Sequence, residues 1–185
     1  MTAPAGHALA RRAIDIAFIG LIGLALLIVL VGRIVPMTGH PTLVVAGGSM
    51  GASFGVGSAI ILDRVDPATL VAGDVVSLRS GPAQAVYTHR IVRTVERDGQ
   101  PWLETKGDAN PAADPSITPA SAVIGRVALV LPLVGFLIAF LSAPTGILAV
   151  MAMGGALLLA RSMVGPTPVV REAAGRSRYR VAARA

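Results

Sequence analysis

Apolar residues form two long continuous runs, one near each end of the chain, with a region of short runs between them. The first run, Ile14–Val31, would extend roughly 27 Å as a helix, close to the thickness of a bilayer core. It is longer than the apolar core of a cleavable signal peptide, and no A-x-A cleavage site follows promptly. The pattern therefore predicts a retained transmembrane helix over residues 13–32.

The second apolar run covers Val127–Ala160 and is divided by Ser142-Ala143-Pro144. Its first part is interrupted by Pro132 and Gly135 and is compatible with a final strand followed by a membrane-surface segment. Residues 128–142 are predicted to be that apolar segment at the membrane surface. Its second part is uninterrupted up to Arg161 and predicts a second transmembrane helix over residues 143–161.

The region between the two long runs has the pattern of a β domain over residues 33–127. Short β-branched or alternating segments are separated by turn signals such as D-P, A-G-D, S-G-P and D-G-Q-P. Y-T-H-R-I-V-R-T-V-E and W-L-E-T flank D-G-Q-P and predict a hairpin. The predicted fold class is mainly β, with a small antiparallel domain flanked by two transmembrane helices.

Composition and charge are consistent with this organisation. The chain is 54% hydrophobic and 14% charged, contains no cysteine, and carries a net charge of +6. Acidic and basic residues balance between 33 and 160, so the excess positive charge lies outside the apolar runs. Since basic flanks stay cytoplasmic, residues 1–12 and a disordered tail over 162–185 are expected inside the cell and the β domain outside. The neutral domain argues against a nucleic-acid partner.

Few residues have the types and spacing needed for chemistry. The histidines lack metal-ligand spacing and the glycine-rich stretch 46–58 lacks a G-K-[ST] ending, so neither a metal nor another cofactor is expected. Ser49, His89, Asp108 and Asp114 remain. Each alone suits an ordinary turn or surface position. Together they supply a nucleophile, a base near neutral pH and a carboxylate to orient the base.

Four ordered boxes resemble those of type I signal peptidases of the archaeal and endoplasmic-reticulum kind, which some bacteria also carry. The first box is Ser49-Met50, which leads to Gly57-Ser58. After the fourth box, a match to the family pattern V-I-G-[KR]-V lies at Val123–Val127. The three remaining boxes are Gly73-Asp74-Val75-Val76, His89-Arg90-Ile91-Val92, and Thr105-Lys106-Gly107-Asp108-Ala109-Asn110 with Asp114 after it.

This resemblance implies a plasma-membrane serine endopeptidase that cuts signal peptides from secreted preproteins. Ser49 would be the nucleophile, with its N–H as an oxyanion donor, and His89 the general base. Asp114 would orient His89, and Asp108 would be a nearby structural or secondary catalytic carboxylate. The implied partners are signal peptides and the lipid bilayer, and an association with the secretion machinery is compatible with this function.

Two positions depart from the family pattern, since Ala52 and Gly55 replace its usual prolines and loosen the turn around the serine. Two alternatives stay open. A non-catalytic, membrane-anchored β module is favoured by this departure and disfavoured by the retention of Ser49, His89, Asp108 and Asp114 together. A Ser49/Lys106 dyad peptidase would instead use the single lysine of the chain as its base.

Overall fold

The computed structural model describes residues 5–81 and 84–164, in which seven antiparallel strands form one curled sheet. The strand order across the sheet is β1-β2-β7-β3-β4-β5-β6. Register shifts between Ile61 and Leu62 and between Ser77 and Leu78 mark bulges, which increase the local twist. The strands are β1 (Thr42–Val44), β2 (Ala59–Asp63), β3 (Val75–Ser80), β4 (Ala85–Arg97), β5 (Gln100–Lys106), β6 (Thr118–Pro119) and β7 (Val123–Leu131).

The hairpin predicted around D-G-Q-P is confirmed as β4 and β5. Arg97 pairs with Gln100, so Asp98 and Gly99 form a two-residue turn. Both turn residues have positive φ, 53° and 72°, which a type I′ turn requires and which Asp-Gly tolerates well. The mainly β, antiparallel fold class is therefore confirmed for the described residues.

The first helix extends beyond the predicted span of 13–32 at both ends. α1 covers Ala5–Val29, continues through a π-helical turn at Leu30–Ile34, and ends in a short helix, α2, at Val35–Met37. Alanine and arginine are good helix formers, so the helix begins before the apolar run does. It stops before Gly39, whose φ of 94° suits a residue just past a helix end.

The second apolar run contains a strand end and two helices. Residues 128–131, predicted to be membrane-surface, continue β7 up to Pro132, which lacks the N–H needed to extend a strand. α3 follows at Val134–Ser142 and α4 at Pro144–Met163, so the predicted division at Ser142-Ala143-Pro144 is correct. Of the predicted tail 162–185, residues 165–185 lie outside the described part of the chain.

Two helices within the described residues are long and apolar enough to span a membrane. They cover Gly6–Met37, whose most apolar 18-residue window has a mean hydropathy of 2.9, and Pro144–Met163, where the corresponding value is 1.7. Most of their apolar side chains are not covered by the rest of the chain, in contrast to the core helix of a soluble protein. At one end of the pair, Arg161 Nε lies 2.7 Å from Asp15 Oδ1 and joins α4 to α1.

Two apolar clusters form the core of the β domain. One lies on the face of β3, β4 and β5 that carries Val76, Leu78, Ile91 and Leu103. The other packs Met50 and Phe54, from the segment after β1, against Ile60 and Leu62 of β2. The segment that carries Ser49 is therefore anchored in the core by its own methionine and phenylalanine.

Helix α3 is seated directly on the segment before β2. The N–H of Phe136 donates to the carbonyl of Gly57 at 3.2 Å. Gly135 is buried against the backbone of Gly57 and Ser58, where an added Cβ would lie 2.7 and 2.6 Å from their carbonyl oxygens. No side chain fits at position 135, so α3 and the β domain are in backbone contact there.

Candidate active site

His89 lies in the middle of β4, on the face of the sheet that carries the apolar core. It pairs with Val76 of β3, and the buried Ile91 lies two residues further along the same face. The residue is 8% exposed, and its ring packs against Tyr87 in an edge-to-face arrangement with the centroids 5.0 Å apart. Its Nε2 atom lies 3.0 Å from Ser49 Oγ, although 40 positions separate the two residues in the sequence.

Asp114 binds the other nitrogen of the same imidazole, with Oδ2 2.6 Å from His89 Nδ1. Because an ionised carboxylate only accepts hydrogen bonds, Nδ1 carries the proton and Nε2 is left to accept from the Ser49 hydroxyl. The buried Thr105 hydroxyl donates to the same Oδ2 atom at 2.6 Å. The backbone N–H of Asp114 donates to the Thr105 carbonyl at 2.8 Å, which fixes the loop beside β5.

The loop after β5 holds the Ser49 backbone from one side. The N–H of Ala109 donates to the Ser49 carbonyl at 2.8 Å. Gly107 is buried against Ser49, and a Cβ at this position would lie 2.7 Å from the Ser49 carbonyl oxygen and 2.9 Å from its Cβ. The close approach explains the glycine in the T-K-G-D box, since any side chain there would displace the serine.

Asp108 does not contact His89 and pairs with Arg90 instead. Arg90 Nε lies 2.9 Å from Asp108 Oδ1 and Nη2 lies 2.7 Å from Oδ2, a bidentate pair. The hydrogen bond from Arg90 is the main reason that the pKa of Asp108 falls below its usual value, with burial opposing it. The same bond raises the pKa of Arg90. Asp108 is therefore held as a carboxylate outside the Ser49–His89–Asp114 chain of hydrogen bonds.

Lys106 belongs to the face of β5 opposite to the site. Its neighbour Thr105 points toward Asp114, and successive side chains of a strand point to opposite faces. Lys106 is paired across the sheet with Arg90, the residue after His89. Arg90 follows His89 and Lys106 follows Thr105, so both basic residues lie on the face of the sheet opposite to the residue before them.

The approach to Ser49 is open on the side of Gly47 and Gly48, where an added Cβ would meet no atom within 4 Å. A separate cavity of about 760 Å³ lies between β1, β3 and β6, and none of the four predicted site residues lines it. Across residues 5–81 and 84–164, no group of three or more His, Asp or Glu side chains is placed to hold a metal ion.

Ser49, His89 and Asp114 thus come together as a chain of hydrogen bonds, and Asp108 lies beside it. Four residues without a predicted role lie in the same sequence boxes and support the site: Met50, Arg90, Thr105 and Gly107. No pattern in the sequence indicated Ser53, whose hydroxyl donates to Asp108 Oδ2. No protein-family model and no curated protein matches this chain.

Proposed function

We propose that this chain is a membrane-bound serine endopeptidase that removes N-terminal signal peptides from exported proteins. The observation that carries the proposal is the continuous chain from Asp114 through His89 to Ser49, with distances of 2.6 and 3.0 Å. These are the spacings at which a base activates a hydroxyl and a carboxylate orients the base.

In the first step, His89 Nε2 takes the proton from Ser49 Oγ as the oxygen attacks the carbonyl carbon of the scissile peptide bond. Asp114 stabilises the imidazolium that forms, and the Thr105 hydroxyl holds the carboxylate in place. The tetrahedral intermediate carries a negative oxygen, for which the Ser49 backbone N–H is the proposed donor.

In the second step, the imidazolium returns the proton to the leaving amine, and an acyl group stays on Ser49. Water, deprotonated by the same nitrogen, then attacks the ester carbonyl. The bond from the acyl carbon to Ser49 Oγ breaks, and Nε2 returns the proton to that oxygen, which restores the serine. The products are the released signal peptide with a new carboxyl end and the mature protein with a new amino end. Every proton transferred in this cycle passes through His89 Nε2.

The substrate class follows from where the site lies relative to the apolar helices. Ser49 follows a helix that ends at Met37, and α3 contacts the same segment on its other side. We propose that both long helices span the plasma membrane, with the β domain extracytoplasmic. A signal peptide ends close to that membrane surface and has small residues before its cleavage site. The open space beside Gly47 and Gly48 suits a closely approaching backbone.

Histidine is favoured over lysine as the base because Lys106 alternates away from the face that carries Asp114 and Thr105. A non-catalytic module is disfavoured by the buried Asp114–His89 contact. Placing a carboxylate and an imidazole together in a largely buried site has a desolvation cost that an inert surface does not need.

The test uses the full-length protein, purified in detergent, with a purified precursor of a secreted protein. Wild type should convert the precursor to a product whose new amino end lies just after the signal peptide. Ser49→Ala should leave the precursor intact, while Ser121→Ala, a change at an exposed serine away from the site, should cleave as wild type does. Equal processing, or equal lack of it, by wild type and Ser49→Ala would overturn the proposal.

A further inference from the structure

The turn that carries Ser49 is tied to β4 by a side chain that the mechanism does not use. The Ser53 hydroxyl donates to Asp108 Oδ2, and Arg90 Nη2 donates to Ser53 Oγ at 3.2 Å. Arg90 is itself fixed by its two bonds to Asp108 and by a bond from Nη1 to the Gly73 carbonyl at 2.9 Å. Ser53, Asp108 and Arg90 therefore form a closed polar cluster next to the site.

The turn needs such a restraint because its own residues provide little. Residues 46–58 are rich in glycine, and residues 51–53 are exposed. Within the turn, the backbone N–H groups of Ser53 and Phe54 both donate to the Met50 carbonyl, at 2.8 and 2.9 Å. These bonds fix the shape of the turn. Its position relative to His89 has to be fixed by contacts with other parts of the protein.

Asp108 holds the turn at two points on the same side of Ser49. Its backbone N–H donates to the Met50 sulfur at 3.4 Å, and its carboxylate accepts from Ser53. Its partner Arg90 is the residue next to His89 on β4. The cluster therefore links the strand that carries the base to the turn that carries the nucleophile.

Ser53 is not a second nucleophile, because neither of its partners is a base. The Arg90 guanidinium stays protonated. Asp108 is a poor proton acceptor, since Arg90, Ser53 and the nearby His89 all lower its pKa and only burial opposes them. The hydroxyl of Ser53 therefore has no route by which to lose its proton, and its bond to Asp108 is a structural one.

We propose that Ser53 is a positioning residue, which acts through Asp108 and Arg90 to hold the turn so that Ser49 Oγ stays within reach of His89 Nε2. The inference rests on the proposed function for its catalytic consequence. It identifies the restraint on a turn that carries Ala52 and Gly55 at positions where proline would have stiffened it.

The kinetic test compares Ser53→Ala with Ser53→Thr, which keeps the hydroxyl, and with the control Ser121→Ala. Using a signal-peptide substrate, Ser53→Ala should lower kcat about tenfold or more with little change in KM, since a displaced nucleophile loses rate rather than binding. Ser53→Thr should recover most of the rate. In the Asp108→Asn background, Ser53→Ala should have a much smaller effect, because its partner is already altered.

A second measurement does not depend on activity. Hydrogen–deuterium exchange at the amides of Gly51, Ser53 and Phe54 should be several-fold faster in Ser53→Ala and close to wild type in Ser53→Thr and Ser121→Ala. Unchanged exchange would overturn the restraint. Normal Ser49-dependent cleavage by Ser53→Ala would overturn the inference and leave the proposed function standing. If the wild type does not cleave, both the catalytic role of Ser53 and the proposed function are overturned. The exchange measurement would still show whether Ser53 restrains the turn.

Discussion

Asp114 Oδ2 lies 2.6 Å from His89 Nδ1, and the pair is joined to Ser49 through the opposite nitrogen of the same ring. Both side chains are largely buried, with 15% and 10% of their area exposed. The contact therefore determines which nitrogen carries the proton, and so which nitrogen is free to act on the serine. Asp108, six residues earlier, has its two oxygens occupied by Arg90 and Ser53.

Replacing Asp114 by asparagine should abolish most of the activity without unfolding the protein. The amide can donate to Nδ1, which moves the ring proton to Nε2 and removes the acceptor for Ser49 Oγ. We expect kcat to fall by about 10³–10⁴-fold, as when the histidine of a serine-protease triad is held in the wrong tautomer. Steady-state cleavage of a signal-peptide substrate measures this, with Asp98→Asn in the exposed hairpin turn as the control. A loss of less than tenfold would contradict the assignment.

Substitutions of His89 and Lys106 separate the two candidate bases. His89→Ala should reduce cleavage to the level of Ser49→Ala, because no other side chain contacts Ser49 Oγ among the described hydrogen bonds. Lys106→Arg keeps the charge but removes a titratable amine and should retain appreciable cleavage. The reverse pattern, with Lys106→Arg inactive and His89→Ala active, would establish a Ser49/Lys106 dyad.

A methyl group at Gly107 should displace Ser49. The added Cβ would lie within 3 Å of the Ser49 carbonyl oxygen, the Ser49 Cβ and Asn110 Nδ2, so the serine backbone has to move. We expect Gly107→Ala to lower kcat by about 10²-fold, the effect of misplacing a reacting group by an ångström. Gly55→Ala is the matched control, because a Cβ there meets no atom within 4 Å. Equal rates for the two variants would argue against the close approach.

The Arg90–Asp108 pair makes the stability of the β domain depend on pH in the acid range. Since the pKa of Asp108 is lowered in the folded protein, its contribution is fully present above the unfolded value, about 3.9, and is lost as the pH falls through the lower folded value. Thermal unfolding of wild type should therefore show a steeper loss below about pH 4 than Asp108→Asn does. Asp98→Asn should follow the wild-type curve.

The packing of α3 against Gly57 leaves no room for a side chain at position 57, so a substitution there should destabilise the protein. Gly57 has φ of 82° and an added Cβ would lie 2.0 Å from the Phe136 ring. Gly39 has φ of 94° with nothing within 4 Å, so Gly39→Ala isolates the backbone strain of about 1–3 kcal/mol. Gly57→Ala should lower the melting temperature further, because overpacking adds about 1–3 kcal/mol. Similar melting temperatures would contradict the contact.

Much of the fold could be predicted because its signals are local. The alternating strands, the Asp-Gly turn and the break at Ser142-Ala143-Pro144 each depend on neighbouring residues. A final strand is compatible with the first part of the second apolar run, but its end at Leu131 depends on pairing with β2, which no local pattern shows. The start of α1 at Ala5 is not marked by the apolar pattern, because Arg11 and Arg12 lie outside the apolar run and are nevertheless compatible with a helix.

The site was only partly predictable, since its members meet across long separations. The separations of 40 and 25 residues to Ser49 and Asp114 carry no geometric information about His89. Whether Asp108 or Asp114 contacts the imidazole depends on how the loop after β5 folds back. Ser53 had no signal at all, because its importance comes from a partner 55 residues away.

The backbone contact between Phe136 and Gly57 has a consequence for how a cut site would be chosen. Gly57 rests on α3 through backbone contacts, and Ala109 and Asp108 hold the turn that carries Ser49, so the fold fixes the position of Ser49 relative to α3. Under the proposed function, the cut would then fall at a fixed distance from the point where an anchored substrate leaves the same bilayer. The length of a signal peptide, and not only the residues beside its scissile bond, would decide where it is cut.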